Sequence, residues 1–74
     1  MLVKNPIEYA QNLDKFFRGE QVKCPECKKG ILNHKFFANP KSRVGCAQFS
    51  CSSCNAEAHL SRVLFPPNVE FEEL

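Results

Sequence analysis

Four cysteines, Cys24, Cys27, Cys51 and Cys54, stand as two CxxC pairs with 23 residues between them, and this spacing constrains the chain more than any other feature. Two residues between cysteines let a tight turn aim both sulfurs at one point. Two such turns supply four thiolates, the donor set of a closed tetrahedral zinc site with Zn–S bonds of about 2.3 Å. The insert suits one β-hairpin: about seven residues out, a turn, and about seven back. The same thiolates could hold a mononuclear iron or an iron–sulfur centre, and one CxxC alone could be a redox dithiol. Two pairs at hairpin separation favour one Zn²⁺, with iron as the second choice.

The chain's size points the same way. With 74 residues it has room for one small domain. A single core at that length supplies about 3–5 kcal/mol, so small domains commonly add disulfides or a metal. The five cysteines are an odd number, and full disulfide pairing would leave one over. The N-terminal MLVKNPIEYA lacks the apolar stretch and cleavage site of a signal peptide, and no run approaches the roughly 18 apolar residues of a membrane span. The expectation is a cytoplasmic chain in a reducing compartment, with no membrane partner, where paired cysteines bind metal.

Residues 6–18 read as a helix: Asn5 caps, Pro6 takes the first position and Glu8 completes a capping-box pattern. Ile7, Ala10, Leu13 and Phe17 form its apolar stripe, with Tyr9 and Phe16 off that stripe. Gly19 is the stop. Three extended runs follow: ILNHKFF after Gly30, RVGCAQFS after the NPKS turn, and AEAHLSRVLF, which Pro66 and Pro67 end. Strict alternation along the third run puts His59, Ser61, Val63 and Phe65 on one face and Ala58, Leu60, Arg62 and Leu64 on the other. The tail NVEFEEL is acidic with two apolar anchors, Val69 and Phe71.

CPEC, the Gly30-led hairpin, CSSC and the strand after it resemble the zinc-ribbon (rubredoxin-like) superfamily over residues 24–65. The resemblance implies knuckles at the cysteine pairs, a three-stranded antiparallel sheet, and Cys24, Cys27, Cys51 and Cys54 as metal ligands. In that family glycine often follows the second cysteine of a knuckle, in a left-handed conformation; here Lys28 and Asn55 hold those places. The expected fold class is a small zinc-stabilised α+β domain: a helix in 1–23 docked on the ribbon, the ribbon in 24–65, and the acidic tail in 66–74. Cys46 reads as a small buried hydrophobe, with a substitute ligand or a reactive thiol as alternatives. His34 and His59 read as residues on strand faces.

Charge is segregated. Residues 24–43 carry Lys28, Lys29, Lys35, Lys41 and Arg43 against Glu26, whereas residues 44–74 carry Arg62 against Glu57, Glu70, Glu72 and Glu73. The formal charge is +2, and four thiolates with one Zn²⁺ bring it to about zero, which argues against a generally basic nucleic-acid binder. A protein partner is the first expectation. Nucleic acid is the second, through Lys28, Lys29, Lys35, Phe36, Lys41 and Arg43, with Phe37 beside them as a second ring for stacking. No catalytic set, phosphate loop or small-molecule site is visible, and a four-cysteine site leaves no open metal position, so the chain reads as a binding module and not an enzyme.

Overall fold

The structure, a computed structural model, describes residues 2–74. Two short helices, α1 (Ile7–Gln11) and α2 (Leu13–Phe17), precede four strands: β1 (Leu32–Ala38), β2 (Val44–Cys51), β3 (Glu57–Leu64) and β4 (Glu72–Glu73). The strands make one sheet in the order β3-β2-β1-β4. β1, β2 and β3 form an antiparallel meander. The expected three-stranded antiparallel sheet is corrected by β4, which adds a fourth strand parallel to β1 and pairs Phe37 with Glu72 and Ala38 with Glu73. The acidic tail reaches that edge because of its apolar residues. Val69 is buried, and Phe71 stacks on Phe65 with centroids 5.6 Å apart.

The single helix expected over 6–18 is instead two pieces joined at Asn12, whose φ of −97° and ψ of 5° leave the helical well. The Asn12 side-chain amide donates to the Glu8 carbonyl at 2.8 Å, a local bond of the kind that competes with helical backbone. The expected cap is also displaced: Pro6 is the cap residue of α1, with no side-chain cap bond, and Asn5 before it accepts the Ile7 N–H on its Oδ1 at 3.3 Å. The buried face also differs from the predicted stripe. Tyr9 and Phe16 are buried, Leu13 and Phe17 half-buried, while Ala10 and Ile7 are exposed. Tyr9, Leu13, Phe16 and Phe17 themselves follow the i, i+4, i+7, i+8 spacing of a helical face. Two stripes compete on one segment, and the one with more aromatic area wins.

That aromatic face packs on one side of the sheet. Leu32, Phe36 and Ala38 from β1, Ala47, Phe49 and Cys51 from β2, and Ala58 and Val63 from β3 are buried there. Phe16 meets Phe49 at 4.7 Å, Phe17 meets Phe36 at 5.8 Å, and Phe36 meets Phe65 at 5.0 Å. β3 breaks the strict alternation predicted for it. Gly45 pairs with Val63 but Ala47 pairs with Leu60, so Ser61 and Arg62 together oppose Cys46. Arg62 takes a φ of 58° at this bulge. One extra residue flips the phase, so Ala58 and Leu60 face the core before the bulge, and Val63 and Phe65 after it.

The hairpin end farthest from the cysteines is held by Arg43. Its Nε donates to the Phe65 carbonyl at 3.2 Å, and its Nη2 donates to the carbonyls of Pro66 at 2.6 Å and Val69 at 2.8 Å. The same guanidinium lies 4.8 Å from the centre of the Phe71 ring. In the turn beside it, Asn39 Oδ1 accepts the N–H groups of Lys41 at 2.8 Å and Ser42 at 3.3 Å.

Candidate metal centre

The two CxxC turns are built alike. In the first, the Lys28 N–H donates to the Cys24 carbonyl at 2.8 Å; in the second, the Asn55 N–H donates to the Cys51 carbonyl at 3.0 Å. Lys28 and Asn55 then swing to φ values of 60° and 59°, the left-handed turn that points the next backbone N–H groups back toward the sulfurs. Asparagine tolerates that region well; lysine takes it at a cost of about 1 kcal/mol. The Cys24 N–H bonds to the Gly30 carbonyl at 2.8 Å, which brings the first turn onto the foot of β1.

Together the turns place the sulfurs of Cys24, Cys27, Cys51 and Cys54 within 4.8 Å of one another. Cys24 Sγ and Cys54 Sγ are 3.7 Å apart, as are Cys27 Sγ and Cys51 Sγ. A regular tetrahedron with metal–sulfur bonds of about 2.3 Å has edges of about 3.8 Å. The donor set and its spacing therefore fit a tetrahedral thiolate-bound ion. Cys24 and Cys51 are buried, while Cys27 and Cys54 are half-buried, so the site lies at the surface of the core. Gly30 is required beside it: a Cβ there would stand 2.6 Å from Cys51 Sγ and 2.7 Å from Ser53 Oγ.

The electrostatics of the four thiols also favour a cation. The backbone N–H groups of Gly30 and Lys29 stabilise the Cys27 thiolate and bring its pKa down to about 6. At Cys54 the Ala56 N–H pulls the same way, but burial and the sulfurs of Cys24, Cys51 and Cys27 override it and push the thiol up to about 12. Four thiolates cannot crowd together unless positive charge sits among them. Tyr9 of α1 is the tyrosine on which the cluster acts. Its hydroxyl is buried and makes no hydrogen bond of ordinary geometry among the described residues, yet it lies near enough to Cys24 to feel that sulfur. Burial first, then the negative charge of Cys24 and Glu26, raise its pKa above the ordinary tyrosine value.

The other sequence candidates are scattered. Cys46 sits half-buried on the sheet face opposite the core, paired with Phe37, and does not belong to the sulfur cluster. His34 stacks on Phe36 at 4.6 Å, and His59 is exposed on the open face. Phe36 is buried in the core, and Arg43 is engaged with three carbonyls. Both are thereby removed from a contact surface. Lys28 and Lys29 flank the cysteines, whereas Lys41 lies in the hairpin turn at the far end of β1, a strand length of roughly 20 Å away. Only Lys35 lies between them, exposed on the open face. Among the described residues no helix is long and apolar enough to cross a membrane.

Sequence reasoning missed the neighbourhood of Tyr9, because a local stripe cannot say which distant group a hydroxyl will meet. The chain matches no protein-family profile, no curated protein and no solved structure.

Proposed function

We propose that this protein is a small zinc-binding module of the ribbon type, in which one Zn²⁺ on Cys24, Cys27, Cys51 and Cys54 fixes the sheet and the open sheet face engages a protein partner. One observation carries the choice of partner. On the face away from the helices, Phe37 pairs with Cys46 and Val44 pairs with Leu64. Val44 is 41% exposed and Leu64 66%, so the four side chains form a contiguous apolar patch on a rigid support. Patches of this kind mark contact surfaces. The basic residues, by contrast, are divided between the two ends of the hairpin apart from Lys35, and no fully exposed phenyl ring stands among them.

Zinc does structural work in this reading. Four protein ligands leave no place for water or substrate, and the binding free energy of such a site, about 10–16 kcal/mol in small peptides, exceeds what a core of this size supplies. Native mass spectrometry of protein purified without added metal tests the ion; one zinc per chain is expected. A photo-crosslinker at Leu64, with a second at exposed Gln11 on the helical side as control, tests the surface. Nuclease-resistant adducts from position 64 and none from position 11 are the expected result. Equal capture from both sites, or adducts lost on nuclease treatment, would defeat the protein-partner reading.

A further inference from the structure

Tyr9 holds the one buried side-chain oxygen or nitrogen that lacks a hydrogen-bond partner among the described residues. The residue is only 1% exposed, and its ring is fixed against Phe49 with centroids 5.7 Å apart. A hydroxyl sealed from water in this way is costly unless something accepts its proton. The ring it stacks on, Phe49, lies two residues from Cys51 on the core face of β2, and the sulfur that acts on the hydroxyl is that of Cys24, fully buried and one of the four clustered cysteines. As a neutral sulfur 3.7 Å from Cys54 Sγ, Cys24 is a weak acceptor. As a metal-bound thiolate it has no proton, carries negative charge and becomes a strong acceptor.

We propose that Tyr9 is the outer hydrogen-bond donor to the Cys24 thiolate of the metal-loaded site, and that through this bond the N-terminal helices and the metal site assemble as one unit. The inference rests on the zinc reading above. It assigns a role to a residue outside the cysteine motif and outside the ribbon segment. Donors of this kind orient the ligand and tune its charge, and their removal commonly weakens metal binding about 10–100-fold. α1 supplies the donor. Phe16 in α2 packs on Phe49, the same ring that supports Tyr9. Filling the metal site therefore tightens the seating of both helices on the sheet.

The decisive variant is Tyr9→Phe, which keeps the ring against Phe49 and deletes only the hydroxyl. Wild-type and variant proteins are loaded with cobalt(II) and titrated against a zinc chelator. A tetrahedral thiolate–cobalt spectrum in the wild type tests the metal site itself, independently of Tyr9; its absence would defeat the site and this inference with it. Given that spectrum, the variant is expected to bind zinc about tenfold more weakly. Its sulfur-to-cobalt charge-transfer band should move to lower energy, because a thiolate that loses a hydrogen bond gives up its electrons more readily. An unchanged affinity and an unchanged band would overturn the proposal. Weaker affinity with an unmoved band would mark a packing role and overturn it equally. Should the variant fail to fold, NMR of wild-type protein loaded with NMR-active cadmium decides. A coupling between the metal and a slowly exchanging Tyr9 hydroxyl proton supports the bond, and no such coupling refutes it.

Discussion

The two ends of the sheet are tied in opposite ways. At one end four thiols converge on a point that fits a tetrahedral ion. At the other, the guanidinium of Arg43 gathers three backbone carbonyls and the Phe71 ring. The first knot joins residues about 30 positions apart through charged ligands, and a chelator or a proton can undo it. The second joins the hairpin turn to the tail through neutral ligands, which a chelator does not compete for. In the zinc reading proposed above, the cysteine end sets whether the domain folds. The arginine end sets whether the last ten residues lie down on a domain already folded.

That contrast can be broken most severely at the cysteines. Cys51→Ser, or chelation of the wild type, is expected to abolish the cooperative thermal transition, because a core of this size contributes only about 3–5 kcal/mol unaided. Cys46→Ser should leave the transition within a few degrees of the wild type. Equal melting of the two serine variants would refute the ligand assignment. Arg43→Met comes next, with a loss of about 2–3 kcal/mol in denaturant titration as charge-assisted bonds and the ring contact disappear. It should raise hydrogen exchange and proteolysis after Phe65 while zinc stays bound. Gly30→Ala probes the metal end without touching a ligand. Its Cβ would crowd Cys51 Sγ, and a cost of about 1–3 kcal/mol with weakened zinc retention is expected. The smallest effect is a gain: Lys28→Gly should stabilise the domain by about 0.5–1 kcal/mol by relieving the left-handed lysine.

Protons sharpen the same comparison. In any fraction of the metal-free protein that keeps this fold near pH 7, Cys27 stands above its depressed pKa of about 6 and is a thiolate, while Cys54 keeps its proton up to about 12. Alkylation should reach Cys27 before Cys54. For Cys27 the folded value lies below the unfolded one, so its stabilisation is full above the unfolded pKa and disappears as pH falls through about 6. For Cys54 the sign is reversed: its contribution is full below the unfolded pKa and is lost as pH rises toward about 12. Loading the site expels protons, so zinc affinity should fall steadily on acidification, while the Arg43 end shows no such dependence. A tail contact that loosened in parallel with zinc release would show that the two ends are coupled after all.

Much of this was legible in the chain itself. The CxxC pairs announced four converging sulfurs, and the hairpin between them followed from the length of the insert. Proline after Phe65 ended β3 as expected. What stayed hidden depended on contacts far apart in sequence. The helix segment offers two apolar stripes, and only the sheet opposite it selects Tyr9 and Phe16 over Ile7 and Ala10. The break at Asn12 follows from one amide reaching back to Glu8, a bond that a helical propensity does not register. Arg43 looked like one more exposed cation because the carbonyls it serves lie more than twenty residues further on. The phase flip in β3 needed pairing information, since Ser61 and Arg62 look like ordinary alternating residues until Cys46 is placed opposite both.

The bulge at Arg62 has a bearing on how many copies of this chain can share a solution. β3 is the outer strand of the sheet, and next to it the described chain offers only the bridge from Leu2 and the Val3 N–H on the Glu57 carbonyl. A straight run of free amides and carbonyls there would invite a neighbouring molecule to add its own strand, and then another. The left-handed arginine, with its charge, interrupts the row two residues before the strand ends, and the bridge from Leu2 occupies its first residue, so the free stretch between them is short. The irregularity that misled a reading by alternation is thus of the kind that blunts an exposed sheet rim as a template for fibre growth.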